Sequence, residues 1–452
     1  MKVKEELLRK ILNIYILAGP FVDMLTSLAV RLGWGSVTMG VLVRFAFVGA
    51  LILYVLFFYR GTHQWALRLA VLITSLYGLI YLGSTVSING MGVMVENAKM
   101  FLKTYFFAYV LFGLFALYQE YRILVSDKLL TIVFCVYTSS IFLSAITNTS
   151  FPTYYFEEIG YCGWFYAGNE IGAIVAILAS VTLLYGFSHP KYLWIGILGL
   201  LAFSSTYIGT KVPFLAIIAA AVLLFVLGMI KYIVKRGKKI RIKMVKYMLL
   251  LLCIFVLFQV GSPVRQNIEY SASDYQDIVV TPPETVPEEP VEPGEEPEEE
   301  PSQFYLVVNW LLKDRLGSVD HVFKRYENGS LMEKLFGIGY TFQINGKWHS
   351  DAVEMDFIAI YLKQGIIGMA VYLMPILYFA VVCICKLFRQ LKRFWELEPA
   401  FVYTYAILMG LACAFLAGHV LVAPAVSVFI AICIVKLYAF LTEYEEKARL
   451  PQ

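Results

Sequence analysis

Twelve apolar runs occupy most of this chain, each close to the twenty residues that a helix rising about 1.5 Å per residue needs to cross a bilayer. They fall near 8–30, 37–59, 65–87, 100–118, 129–147, 168–186, 192–209, 212–230, 245–261, 356–386, 401–417 and 423–441. The tenth is overlong and is expected to tilt, to break near Gly365 or to extend beyond the membrane. With 60% of its 452 residues hydrophobic and only 15% charged, the chain lies outside the water-soluble globular class. The predicted fold is an all-α polytopic membrane protein of about twelve transmembrane helices. Met1 to Lys10 lead charge into the first run with no small-residue cleavage site behind it, which reads as an uncleaved span.

Basic residues set the expected orientation. Lys2, Lys4, Arg9 and Lys10, then Arg60, then Arg122 and Lys128, then Lys191, the dense run Lys231–Lys246, and Lys386 to Arg393 all fall on one side of a twelve-span layout. The positive-inside rule makes that side cytoplasmic, with both termini there. Three regions follow: helices one to nine over 1–261, an outer loop over 262–352, and helices ten to twelve with a tail over 353–452. Within the loop, 281–301 combines Pro with dense Glu and is expected to be a disordered, extended tract. Apolar residues three and four apart from Leu306 to Phe323 predict short amphipathic helices within 304–350. Neither an internal repeat nor two-half symmetry is visible. A net charge of +4 gives no argument for nucleic acid. Six of the seven cysteines sit in apolar runs and read as small buried hydrophobes; only Cys162 lies near an aqueous face.

An ionisable group inside a span costs a few kcal/mol, on the order of 3 at its centre, and so needs a partner or a purpose. Asp23 and Arg44 each sit about seven residues from the outer ends of adjacent spans, so they can meet at one depth. They suit either a buried structural pair or an arginine lent to an anionic ligand. Lys211, in an outer turn, is either a snorkelling lysine or a functional cation. Arg315 and Arg325 are ordinary loop charges by default. His349, Glu354 and Asp356 approach the tenth span, where carboxylates also favour a helix N-terminus without any further role. Asn169 and Glu170, at the outer start of the sixth span, are cap or site-support residues. None of these spacings is a metal motif, so no metal or other cofactor is expected.

The order and outer placement of several short motifs resemble the O-antigen ligase and polymerase superfamily over nearly the whole chain. They are Gly163-Trp164-Phe165-Tyr166-Ala167-Gly168-Asn169-Glu170-Ile171-Gly172, the turn Gly209-Thr210-Lys211, the run Leu335-Phe336-Gly337-Ile338-Gly339-Tyr340, and Glu354-Met355-Asp356 leading to Gly365-Ile366-Ile367-Gly368. The resemblance implies a GT-C-like membrane glycosyltransferase that takes a polyprenyl-diphosphate-linked glycan donor, with a glycan or lipid-linked acceptor. Membrane lipids and other polysaccharide export proteins are further implied partners. It implies that two outer basic residues handle the diphosphate, with Lys211 where the first, usually Arg, is expected and Arg315 matching the second; Arg325 and Arg44 are further candidates. Ligases of the family carry a His-Asn-type pair about eleven residues before Gly-x-x-Gly, a position held here by Glu354, with His349 five residues earlier. That departure favours a polymerase or Gram-positive-type relative over a lipid A ligase. Glu354 is then the first choice for general base, His349 the second, with Asp356 beside them. A fixed pair of cations also suits a diphosphate leaving group without a metal. The rival class is a transporter of an envelope precursor, disfavoured by the missing repeat symmetry and by suspicious residues gathered at one outer loop. A third is a scaffold that uses the Glu/Pro tract to hold a partner.

Overall fold

The computed structural model describes residues 2–34, 38–154, 159–189, 193–235, 238–259, 261–275, 315–344, 347–350 and 353–449. The expected disordered tract 281–301 and the first part of the amphipathic stretch, 304–314, lie outside the described residues. A helix stands at each of the twelve predicted places. They are α1 (Lys2–Arg31), α2 (Met39–Leu53, continued by a π turn to Phe58), α3 (Gln64–Asn89), α4 (Met94–Tyr121), α5 (Asp127–Ile146), α6 (Gly168–Ser188), α7 (Leu193–Tyr207), α8 (Lys211–Lys235) and α9 (Lys238–Gln259). After the loop region come α13 (Asp356–Gln390), α14 (Glu398–Leu416) and α15 (Pro424–Arg449). Among the described residues ten helices are long and apolar enough to cross a membrane.

Two places depart from the expected layout. Among the described residues helix α7 has 15 residues, about 22 Å of rise against a hydrocarbon core of roughly 30 Å. After α9 the chain turns by 69° into α10 (Pro263–Tyr275), so the region expected as loop opens with a helix. Beyond it lie α11 (Arg315–Glu327) and α12 (Leu331–Phe336). Ser330 and Glu333 start α12 with a reciprocal capping box, which satisfies two free amides at its N-terminus. Two antiparallel hairpins complete the loop end: β1 (Phe151–Pro152) with β2 (Tyr161–Gly163), and β3 (Phe342–Ile344) with β4 (Lys347–His349).

Helices α4, α6 and α15 are buried along most of their length and form the inside of the bundle, while α1 and α2 leave most of their apolar surface outward. The interior is aromatic: Phe106, Phe107, Phe115, Tyr105, Tyr118 and Tyr372 are fully enclosed. The outward residues are equally apolar, among them Phe57, Leu69, Leu79 and Leu257. Apolar surface on the outside is what a lipid solvent permits and water does not. The chain is therefore a multi-pass membrane protein.

Candidate functional site

The best-defined feature of the loop end is a break in α13. Gly365 has φ +70° and ψ −179°, a conformation open essentially to glycine alone, and it interrupts the helix about two and a half turns after its start. The carbonyls freed before the break do not go unmet. Ile338 N–H donates to Leu362 O at 3.2 Å and Gly339 N–H to Lys363 O at 3.2 Å. The Leu335–Tyr340 run can lie this close because Gly337, at φ +91°, carries no Cβ where the Lys363 carbonyl stands. Asn97 anchors the far end of the run by accepting from Tyr340 N–H at 2.7 Å, and the Tyr340 hydroxyl bonds Thr104 at 2.8 Å. Burial pushes that hydroxyl above its ordinary pKa, so it stays protonated.

Beside this junction a cavity of about 580 Å³ opens at the same end of the bundle, a size common for small-ligand sites. Its walls bring together charges from five helices: Asp23 of α1, Arg44 of α2, Glu96 and Lys103 of α4, Glu170 of α6 and Lys363 of α13. Tyr137, Phe165, Tyr166 and Tyr340 supply aromatic wall, and His419 enters from the α14–α15 loop. Asp23 and Arg44 form an ion pair, and Asp23 also accepts from the Tyr137 hydroxyl at 2.6 Å. Both charged side chains are largely buried, at 12% and 15% exposure. Glu96 pairs with Lys99 at 2.6 Å.

The residues singled out in the sequence divide in their placement. Arg315 and Glu354 meet, Nε to Oε2 at 2.5 Å, and Arg315 Nη1 also donates to Leu416 O at 3.3 Å. The pair stands next to the cavity through Val353, which lines it. Asp356 is 1% exposed, and its carboxylate accepts the backbone amides of His419, Val420 and Leu421 at 2.8, 2.8 and 2.6 Å. That clamps the α14–α15 loop and thereby seats His419. His349 is exposed and stacks on Phe342, 5.9 Å between ring centres. Arg325 lies over the Phe342 ring, with its guanidinium 3.4 Å from the centroid.

Lys211 opens α8, half-buried, from a turn held on two sides. Thr153 donates to Ile208 O at 2.7 Å and Asn267 to Gly209 O at 2.8 Å, while Gly209, at φ +79°, presses on Gly160. Neither Lys211 nor Arg325 lines the cavity, nor does Asn169; its neighbour Glu170 does. The sequence reading passed over Lys103, Lys363, Glu96 and His419. For the two lysines a signal was present, since both are cations inside predicted spans. Nothing local distinguished His419. Among the described residues no three His, Cys, Asp or Glu side chains gather as a metal-holding group.

A family model described as O-antigen ligase like membrane protein matches residues 5–444. Among curated proteins no match was found.

Proposed function

Because the chain belongs to the O-antigen ligase-like membrane proteins, a membership that supports a membrane enzyme of polysaccharide assembly, we propose that it joins polyprenyl-diphosphate-linked glycan units into a surface polysaccharide. Polymerisation is favoured over ligation by Glu354 standing where ligases of the family place their His-Asn-type pair. The reaction takes place at the cavity end of the bundle, on the outer face of the plasma membrane. The concentration of Lys and Arg at the opposite ends of the helices supports that orientation.

The observation that carries the reading is the convergence of intramembrane charge from five helices on one cavity, with a cation pair candidate, Lys211 and Arg315, at the same end. Charge in that setting is costly to keep and suits a substrate that is itself charged and amphipathic. Lys211 and Arg315 meet the negative charge that grows on the departing diphosphate, in a mouth of low dielectric where fixed cations act strongly. Glu354 holds the Arg315 guanidinium until the diphosphate replaces it, one anion exchanging for another. Such a leaving group needs no metal. The acceptor hydroxyl still requires a base.

The test is elongation by the purified protein in detergent, supplied with a polyprenyl-diphosphate-linked repeat unit, with and without chelator, and read as chain length on a gel. Elongation that persists in chelator and fails in Lys211→Ala and Arg315→Ala supports the reading. Transfer of single units to an added acceptor indicates ligation. Transport into liposomes without either product indicates the carrier alternative.

A further inference from the structure

From the state of the carboxylates around the cavity, we infer that Glu170 is the general base that takes the proton from the acceptor hydroxyl. The inference rests on the glycosyl-transfer reading and adds a residue to it. Five carboxylates among the described residues lie in or beside the cavity, and four are committed. Asp23 is held by Arg44 and the Tyr137 hydroxyl, and Glu96 by Lys99. Glu354 is held by Arg315, and Asp356 by three backbone amides. Glu170 alone has neither a hydrogen bond nor an ion pair among the described residues, although it lines the cavity.

A carboxylate engaged by a guanidinium or by amides has its lone pairs occupied and accepts a proton poorly. One that faces a cavity with its oxygens free can receive a hydroxyl directly, which is the geometric requirement for a general base. Glu170 stands in the first turn of α6, an inner helix buried along most of its length. The charged and titratable groups that face it are Asp23 from α1, Arg44 from α2, Lys103 from α4, Tyr137 from α5 and His419 from the α14–α15 loop. Lys103 likewise has no ion pair among the described residues, so two opposite charges share the cavity without collapsing on each other. That leaves room between them for a substrate group.

The step balances without a further reagent. The acceptor oxygen forms a bond to the anomeric carbon of the donor sugar as its proton passes to a Glu170 oxygen. The bond from that carbon to the diphosphate oxygen breaks, and its electron pair leaves with the polyprenyl diphosphate. Glu170 then returns the proton to water.

The experiment is elongation by the purified full-length protein with a polyprenyl-diphosphate-linked repeat, measured beside binding of the same donor by native mass spectrometry. Glu170→Gln keeps the shape and loses the base, so elongation is expected to fall about 100-fold or more while donor binding changes little. Glu170→Gly is expected to regain elongation when sodium formate is supplied, an effect a purely structural residue does not produce. Glu354→Gln serves as the comparison, with weakened function and no rescue by formate. A Glu170→Gln protein with more than a tenth of the wild-type rate, or a Glu170→Gly protein that formate leaves inactive, overturns the assignment while the transfer reading stands. Wild-type protein that transfers no sugar overturns both.

Discussion

Gly365→Ala tests whether the broken helix is what holds the loop end together. An alanine at φ +70° and ψ −179° occupies a backbone region that costs a side-chain-bearing residue about 1–3 kcal/mol. Its Cβ also meets backbone, 2.5 Å from Gly337 N and from the Leu335 carbonyl carbon and oxygen, so no side-chain rotation relieves it. The Leu335–Tyr340 run must move off, and the two amide bonds to Leu362 and Lys363 go with it, at about 1 kcal/mol each. The expected loss is about 3–5 kcal/mol. The reference is Gly83→Ala in α3, where an added Cβ has nothing within 4 Å and helix propensity gains up to about 1 kcal/mol. Denaturant unfolding in detergent, followed by tryptophan fluorescence, is expected to order the proteins Gly83→Ala, wild type, Gly365→Ala from most to least stable. A Gly365→Ala protein as stable as the wild type, with its glycan transfer intact, refutes the idea that this junction is strained into place.

Four further outcomes follow from the same geometry. Asp23→Ala and Arg44→Ala are each expected to cost about 3–5 kcal/mol, because each strands a buried charge, while the double variant costs less than their sum; a double-mutant cycle in unfolding measures this. Asp356→Ala removes the acceptor of three amides and is expected to cost about 3 kcal/mol or more, with faster hydrogen exchange confined first to 417–423. Lys211→Ala and Arg315→Ala are each expected to slow elongation about 100-fold or more, with unfolding midpoints close to wild type for Lys211→Ala. Lys103→Met is expected to raise the unfolding free energy by about 0.5–2 kcal/mol and to lower glycan transfer, a divergence that unfolding and elongation assays read separately.

What the sequence made legible was whatever is written within one helix length. Twelve apolar runs located twelve helices, because the demand that every backbone polar group in lipid be satisfied internally leaves few alternatives. A glycine in an overlong run marked the place where α13 breaks. Asp23 and Arg44 were readable as a pair because their helices are consecutive and antiparallel, so depth alone decided the contact. The contacts that shape the cavity are of another kind. Asp356 reaches amides 63 to 65 positions away, and Tyr340 is anchored by Asn97 across 243 positions. No periodicity encodes which helices become neighbours, so Glu354 and Asp356, two residues apart, could not be told apart by role. In the folded chain one holds a guanidinium at the surface of the site and the other ties down a loop beneath it.

The pattern of commitment among the charges is what separates scaffold from chemistry here. A buried charge retained for structure is bonded, as Asp23 and Asp356 are, since an unmatched one lowers stability by several times RT. Glu170 and Lys103 face the cavity without an ion pair among the described residues, on helices α6 and α4 that otherwise supply the apolar inside of the bundle. A leucine or methionine at either place would pack and cost nothing to desolvate. Their presence makes sense if the missing partner arrives with the substrate: a hydroxyl for the carboxylate and an anionic group for the ammonium. Polyprenyl-diphosphate-linked glycans bring both to the same membrane depth, with the apolar chain left in the lipid that the outer helices already face.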